Sequence, residues 1–209
     1  MIRFDNIFEA IFLAGFVIGT VIRKLYARPR KGDKTSAKRK SWLDISLIVV
    51  AGIGLAAPLL YLFTPWLDFA DYQLPTTLCW LGWAGTGIFA AAILLLWRSH
   101  VNLARQWSAI PQIKNGHNLV TTGVYKRIRH PMYAAHLLWA LAQGLLLHNW
   151  IAGPVFLAAL IPFCLVRIPL EEEMMLKHFG DQYRRYINCT GRIIPPLLRC
   201  RDTHNIDSI

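Results

Sequence analysis

Two polar stretches carry the residue types that could do chemistry in this chain of 209 residues. The first runs NGHNLVTTGVYKRIRHPMY, from Asn115 to Tyr133. Asn115-Gly116 and Gly123 suit a tight turn or a close approach, because glycine tolerates positive φ and has no Cβ to hold a ligand off the backbone. Pro131 fits the first position of a helix continuing through Met132, Tyr133 and Ala134, where its missing N–H is no loss. The free N–H groups of that first turn, with Arg127 and Arg129 just ahead of them, make a place for a carboxylate or phosphate. The second stretch, RIPLEEEMM, sets Arg167 four residues before Glu171, so the two share a helical face and can pair unless Pro169 bends the turn. Glu171, Glu172 and Glu173 have two readings. They are solvated acids at a helix start, which the dipole favours, or one of them holds a hydroxyl pair or a positively charged ligand.

The elements that must position these stretches are apolar. A composition that is 55% apolar, with eight Trp, points to a membrane protein built as one bundle. Apolar runs at 4–22, 43–63, 76–97, 132–148 and 150–168 are each about the length of a transmembrane helix. The expected fold is therefore all-α and polytopic, with about five transmembrane helices, the last two forming a tight hairpin across Asn149. Nine Lys and Arg lie between Arg23 and Lys40, and six lie between Arg98 and Arg129 without an acid. The segment PWLDFADYQLP has Asp68 and Asp71 but no Lys or Arg. By the positive-inside rule the N-terminus is outside, the C-terminus inside, and both polar stretches share the cytoplasmic face. The first run is not expected to be a cleaved signal, because its positive charge follows the apolar stretch instead of preceding it.

The expected division is 1–97 for three N-terminal transmembrane helices with a basic cytoplasmic loop at 23–42, 98–198 for a catalytic region containing the hairpin 132–168, and 199–209 for a disordered tail. Gly15 and Gly19 would permit close helix packing, as would Gly82, Gly85 and Gly87. Pro58 is expected to kink the second run, and Pro154 and Pro162 to interrupt the fifth. From Leu170 the chain turns soluble, with Met175, Phe179, Tyr183 and Tyr186 near one face of an amphipathic helix.

Several function classes fall away. A formal charge of +11 would suggest nucleic acid in a soluble protein, but here it sits between apolar segments, where topology explains it. Cys79, Cys164, Cys189 and Cys200 have no metal or disulfide spacing and are read as free thiols; no metal site is expected. No Gly-rich strand-turn-helix motif marks a Rossmann-type domain. His136 and Gln143, seven apart on one face of the fourth run, are either interhelical hydrogen-bonding groups or a functional pair.

The run GHNLVTTGVYKRIRHPMY, followed by RIPLEEEMMLKHFGDQYRRYINCTGRIIP, resembles the isoprenylcysteine carboxyl methyltransferase and phospholipid methyltransferase superfamily, over roughly residues 98–196. The shared pattern is G-x-Y-x-x-x-R-H-P-x-Y, then E-E, F-G-x-x-Y-x-x-Y and a closing R-x-x-P. The resemblance implies S-adenosyl-L-methionine bound at the cytoplasmic face, with a lipophilic acceptor entering from the bilayer. Carried over by position, His117, Leu119, Val120, Gly123 and Tyr125 form the cofactor loop. Arg129, His130, Pro131 and Tyr133 hold the cofactor's amino-acid end, and Glu171 and Glu172 its ribose or ammonium. Arg167 and Arg192 lie near the acceptor, so that Arg129, Glu172, Arg167 and Arg192 are the candidate catalytic residues. The expected activity is isoprenylcysteine-type carboxyl O-methylation. Methylation of a phospholipid or a small lipophilic molecule, an NADPH-dependent membrane reductase, and a non-enzymatic lipid-binding protein are the alternatives. Membrane lipids are the expected partners, and the oligomeric state is left open.

Overall fold

A computed structural model of the chain describes residues 6–26, 35–38, 42–73, 75–103, 112–114 and 119–196. Six α-helices lie among them: α1 (Ile7–Tyr26), α2 (Trp42–Phe63), α3 (Trp80–Leu103), α4 (Pro131–Leu146), α5 (Val155–Phe179) and α6 (Asp181–Cys189). The helical architecture has one addition. Short strands β1 (Thr35–Lys38) and β2 (Gln112–Lys114) pair antiparallel, tying the basic segment after α1 to the segment after α3.

Two helices are long and apolar enough to cross a membrane, Ile45–Phe63 within α2 and Trp80–Leu103, which is α3. Ile48, Val49 and Ile53 of α2 are exposed, as an apolar helix facing lipid would leave them. Helix α3 packs along α4 and α1, while α2 lies on α5. Phe89 of α3 stacks on Phe12 at 5.5 Å and meets Trp139 of α4 edge-on at 4.9 Å. Glycines let these rings in. A Cβ on Gly15 would come 2.3 Å from the Phe89 ring, one on Gly19 2.3 Å from Trp139, and one on Gly82 2.4 Å from Phe8. Gly87, expected to serve the same purpose, has nothing within 4 Å of such a Cβ.

Three expectations are corrected. Helix α4 ends at Leu146 and α5 begins at Val155, so residues 147–154, not Asn149 alone, make the connection. Asn149 instead organises it: its amide donates to Leu67 O and Asp71 Oδ1, both at 2.7 Å, and its oxygen accepts from the N–H groups of Ile151 and Ala152. Second, α5, 25 residues long, runs through Pro162 and Pro169 without breaking and continues past the apolar run as far as Phe179. The amphipathic helix expected from Leu170 is then cut at Gly180, whose φ of 54° is open to glycine. Third, Cys79 and Cys164 are free but Cys189 is disulfide-bonded. The tail at 199–209 lies outside the described residues.

Candidate active site

Two backbone segments far apart in sequence zip together at the start of α4. Ile128 and Gly191 form a parallel bridge; Arg129 N donates to Gly191 O at 2.9 Å, His130 N to Arg192 O at 3.0 Å, and Gly191 N to Arg127 O at 3.0 Å. Only glycine fits at 191, since a Cβ there would lie 1.8 Å from Ile194 O. Pro131 then opens α4 at its first position, with no side-chain cap from His130.

The zipper aims Arg129 at Glu172 of α5. Arg129 Nε donates to Glu172 Oε1 at 3.0 Å, and Arg192 donates to Glu172 Oε2 at 2.5 Å. The Arg129 guanidinium also donates to Ile187 O at 3.1 Å and to Thr190 O, closing the end of α6. Glu172 is 6% exposed. Burial alone would raise its carboxyl, yet the contacts from His130, Arg192 and Arg129 outweigh that and hold it at about 2. A neighbouring pair forms on Glu171, which accepts from Tyr133 OH at 2.6 Å and Arg167 Nε at 3.2 Å. His130 stands between the two acids, Nδ1 3.9 Å from Glu171 and Nε2 3.4 Å from Glu172. Its Nε2 is buried and makes no hydrogen bond among the described residues.

The structure thus brings Arg129, His130, Tyr133, Arg167, Glu171, Glu172 and Arg192 into one cluster. Glu173 is apart from it, exposed and paired with Lys177 at 2.5 Å, so the solvated reading suits that acid only. Tyr125 is buried on the cluster's flank, its carbonyl accepting from Tyr186 OH at 2.6 Å. Burial pushes the Tyr125 phenol upward and the Glu171 charge adds to it. Gly123 has φ 61° and sits against Asn102 of α3, whose amide oxygen accepts from Val124 N at 3.1 Å. Leu119 and Val120 are half-buried; Asn115, Gly116 and His117 lie outside the described residues. His136 and Gln143 are not brought together: His136 Nδ1 meets Met132 O at 2.7 Å, and Gln143 Nε2 donates to Ala152 O at 2.7 Å.

Sequence reasoning passed over Asn102, Thr190, Gly191 and Arg23. A glycine directly before Arg192 and an amide at the end of an apolar run were the available signals for two of them.

The profile of the isoprenylcysteine carboxyl methyltransferase (ICMT) family matches residues 84–177, which include Arg129, His130, Tyr133, Glu171 and Glu172. Over that span the chain is similar to the isoprenylcysteine carboxyl methyltransferase family. Among its relatives is a protein-S-isoprenylcysteine O-methyltransferase of Schizosaccharomyces pombe, 40% identical over 70 residues, 34% of this chain and 30% of the relative. The enzyme of the same name from Saccharomyces cerevisiae is 32% identical over 138 residues, covering 63% and 55% of the two chains. A methanethiol S-methyltransferase of Pseudomonas deceptionensis is 32% identical over 130 residues, covering 59% and 46%. The chain spans about half the length, or less, of these relatives.

Proposed function

We propose that this protein is an integral membrane methyltransferase that uses S-adenosyl-L-methionine to methylate a lipophilic acceptor, with an isoprenylcysteine-type carboxyl group as the favoured acceptor. The observation that carries this reading is Glu172, buried and held ionised between Arg129 and Arg192 within the family's matched span. In this reading the five apolar runs cross the membrane, 132–168 as a hairpin, and the cluster faces the cytoplasm beneath basic loops.

The donor set fits the cofactor. Two carboxylates suit an ammonium and a ribose diol, both of which present N–H or O–H donors to an acceptor oxygen. Glu171 and Glu172 would take those groups, with His130, Pro131 and Tyr133 at the amino-acid end and Leu119, Val120, Gly123 and Tyr125, together with His117, around the remainder. Arg167 and Arg192 set the two glutamates in place beside the acceptor. The bound cofactor supplies a methyl group on a sulfonium, which is displaced in line by the acceptor.

The chain's own contribution is orientation and exclusion of water. A carboxylate acceptor and a sulfonium annihilate opposite charges as the C–O bond forms and the C–S bond breaks. An apolar, dry pocket therefore favours the reaction, with alignment adding to the effect. A carboxylate needs no general base. A thiol acceptor does, and the similarity to a methanethiol S-methyltransferase makes thiol methylation the second reading, with His130 placed to accept the proton.

Titration calorimetry with S-adenosylhomocysteine on the detergent-purified protein tests the reading. Wild type is expected to bind at micromolar concentration, and Glu172→Ala to weaken binding about tenfold or more, roughly 1.4 kcal/mol. Absence of binding by folded wild type defeats the methyltransferase reading, and saturable NADPH binding in its place would establish the reductase alternative.

A further inference from the structure

The three arginines of the candidate site are each matched by an acid: Arg129 and Arg192 by Glu172, and Arg167 by Glu171. A fourth is not. Arg23, at the end of α1, is half-buried and reaches across to α4, where its NH1 lies 3.2 Å from His136 Nε2. His136 Nδ1 is 2.7 Å from Met132 O, a carbonyl that can only accept. The ring proton is therefore on Nδ1, and Nε2 meets Arg23 with its lone pair. The partner is neutral. Near the end of α1, the Tyr26 ring lies 5.5 Å from that of His100, which is 1% exposed. No carboxylate pairs with Arg23 among the described residues.

A guanidinium has five donors in a planar fork that matches a carboxylate. A half-buried cation among apolar helices is costly unless an anion completes it. Its position is informative. His136 lies one turn along α4 from Tyr133, whose hydroxyl holds Glu171, so Arg23 meets α4 one turn from the cluster. It also lies on α1, outside the residues 84–177 matched by the family profile.

We propose that Arg23, oriented by His136, binds the carboxylate of the methyl acceptor and selects acidic acceptors over neutral ones. The inference rests on the methyltransferase reading for its substrate class, while the anion site itself can be measured without turnover.

The probes are N-acetyl-S-farnesyl-cysteine and its methyl ester, titrated by calorimetry into the detergent-purified full chain with and without S-adenosylhomocysteine. Wild type is expected to bind the acid about tenfold tighter than the ester. Arg23→Gln should bring the two within about twofold while leaving S-adenosylhomocysteine affinity unchanged, and Arg23→Lys should keep part of the preference. Equal binding of acid and ester by wild type, or binding of neither, overturns the proposal without reference to any variant. So does an Arg23→Gln protein that keeps the acid preference, or one that loses S-adenosylhomocysteine instead, which would give Arg23 to the cofactor. Failure of wild type to bind S-adenosylhomocysteine counts against the methyltransferase reading only, since the acid preference is measured separately.

Discussion

Glu172 shows how a single carboxylate can be both fixed and charged in a buried position. Its two oxygens are taken by two different arginines, so replacing it leaves two guanidinium groups without their anion. Glu172→Gln is expected to destabilise the protein by on the order of 3 kcal/mol, the range for a buried pair that loses one partner, as read from unfolding in detergent. The pH dependence follows from a carboxyl held at about 2 against an ordinary 4.5. A depressed carboxyl contributes stability that is fully present above 4.5 and lost as pH falls toward 2. The gap in stability between wild type and Glu172→Gln should thus be constant from pH 7 to 5 and narrow below about 4.5; a gap already narrowing at pH 6 would contradict it. Gly191 is as restrictive for a different reason. Gly191→Ala puts a methyl group 1.8 Å from the Ile194 carbonyl, so the turn from 191 to 195 must shift next to Arg192, and both stability and S-adenosylhomocysteine affinity should fall together.

At the scale of elements, the glycines of α1 and α3 divide into those that admit a ring and those that do not. Gly19→Ala drives a methyl group into Trp139 and should cost about 1–3 kcal/mol, as overpacking does. Gly87→Ala meets nothing within 4 Å and should be neutral or stabilising by up to about 1 kcal/mol from helix propensity. Thermal unfolding of the two variants side by side checks both signs. The far end of the bundle offers a control for the site. Asn149 is 1% exposed and holds the α4–α5 connection to the loop containing Asp71. Asn149→Ala should lower stability by about 2 kcal/mol through the polar groups it leaves unsatisfied, while S-adenosylhomocysteine affinity stays at the wild-type value. The amphipathic pattern after Leu170 was legible in the sequence, but its division at Gly180 was not. A glycine within a helical pattern is as often tolerated as it is a break, and here a positive φ decides.

For the whole molecule the proposed topology puts the loop before α3 outside and the cluster inside. Cys79 is free and exposed, just ahead of Trp80. In a variant retaining Cys79 as its only cysteine, a membrane-impermeant maleimide is expected to label intact cells and not sealed inside-out vesicles. The reverse pattern would invert the topology, and labelling of both would remove α3 as a span. The same arrangement places β1 and β2, one from each basic segment, on the side of the bundle where positive charge is expected.

By itself the sequence determined the helical class, the apolar runs and the cluster's members, because helical periodicity, hydrophobic length and an ordered R-H-P, E-E and R-x-x-P pattern are local properties. Arg129, His130, Tyr133, Arg167, Glu171, Glu172 and Arg192 could all be named from it. What it left open was partnership. Whether Glu171 or Glu172 meets Arg129 depends on how α5 is rotated against α4, which no spacing within either segment reports. The tertiary structure assigned Arg129 and Arg192 to Glu172 and Tyr133 and Arg167 to Glu171, left Glu173 in solvent, and brought Arg23 across from α1 to His136, 113 residues away. Apart from Arg167 with Glu171, whose four-residue spacing already allowed the pair, those contacts join segments remote along the chain, and only packing of the whole bundle sets them.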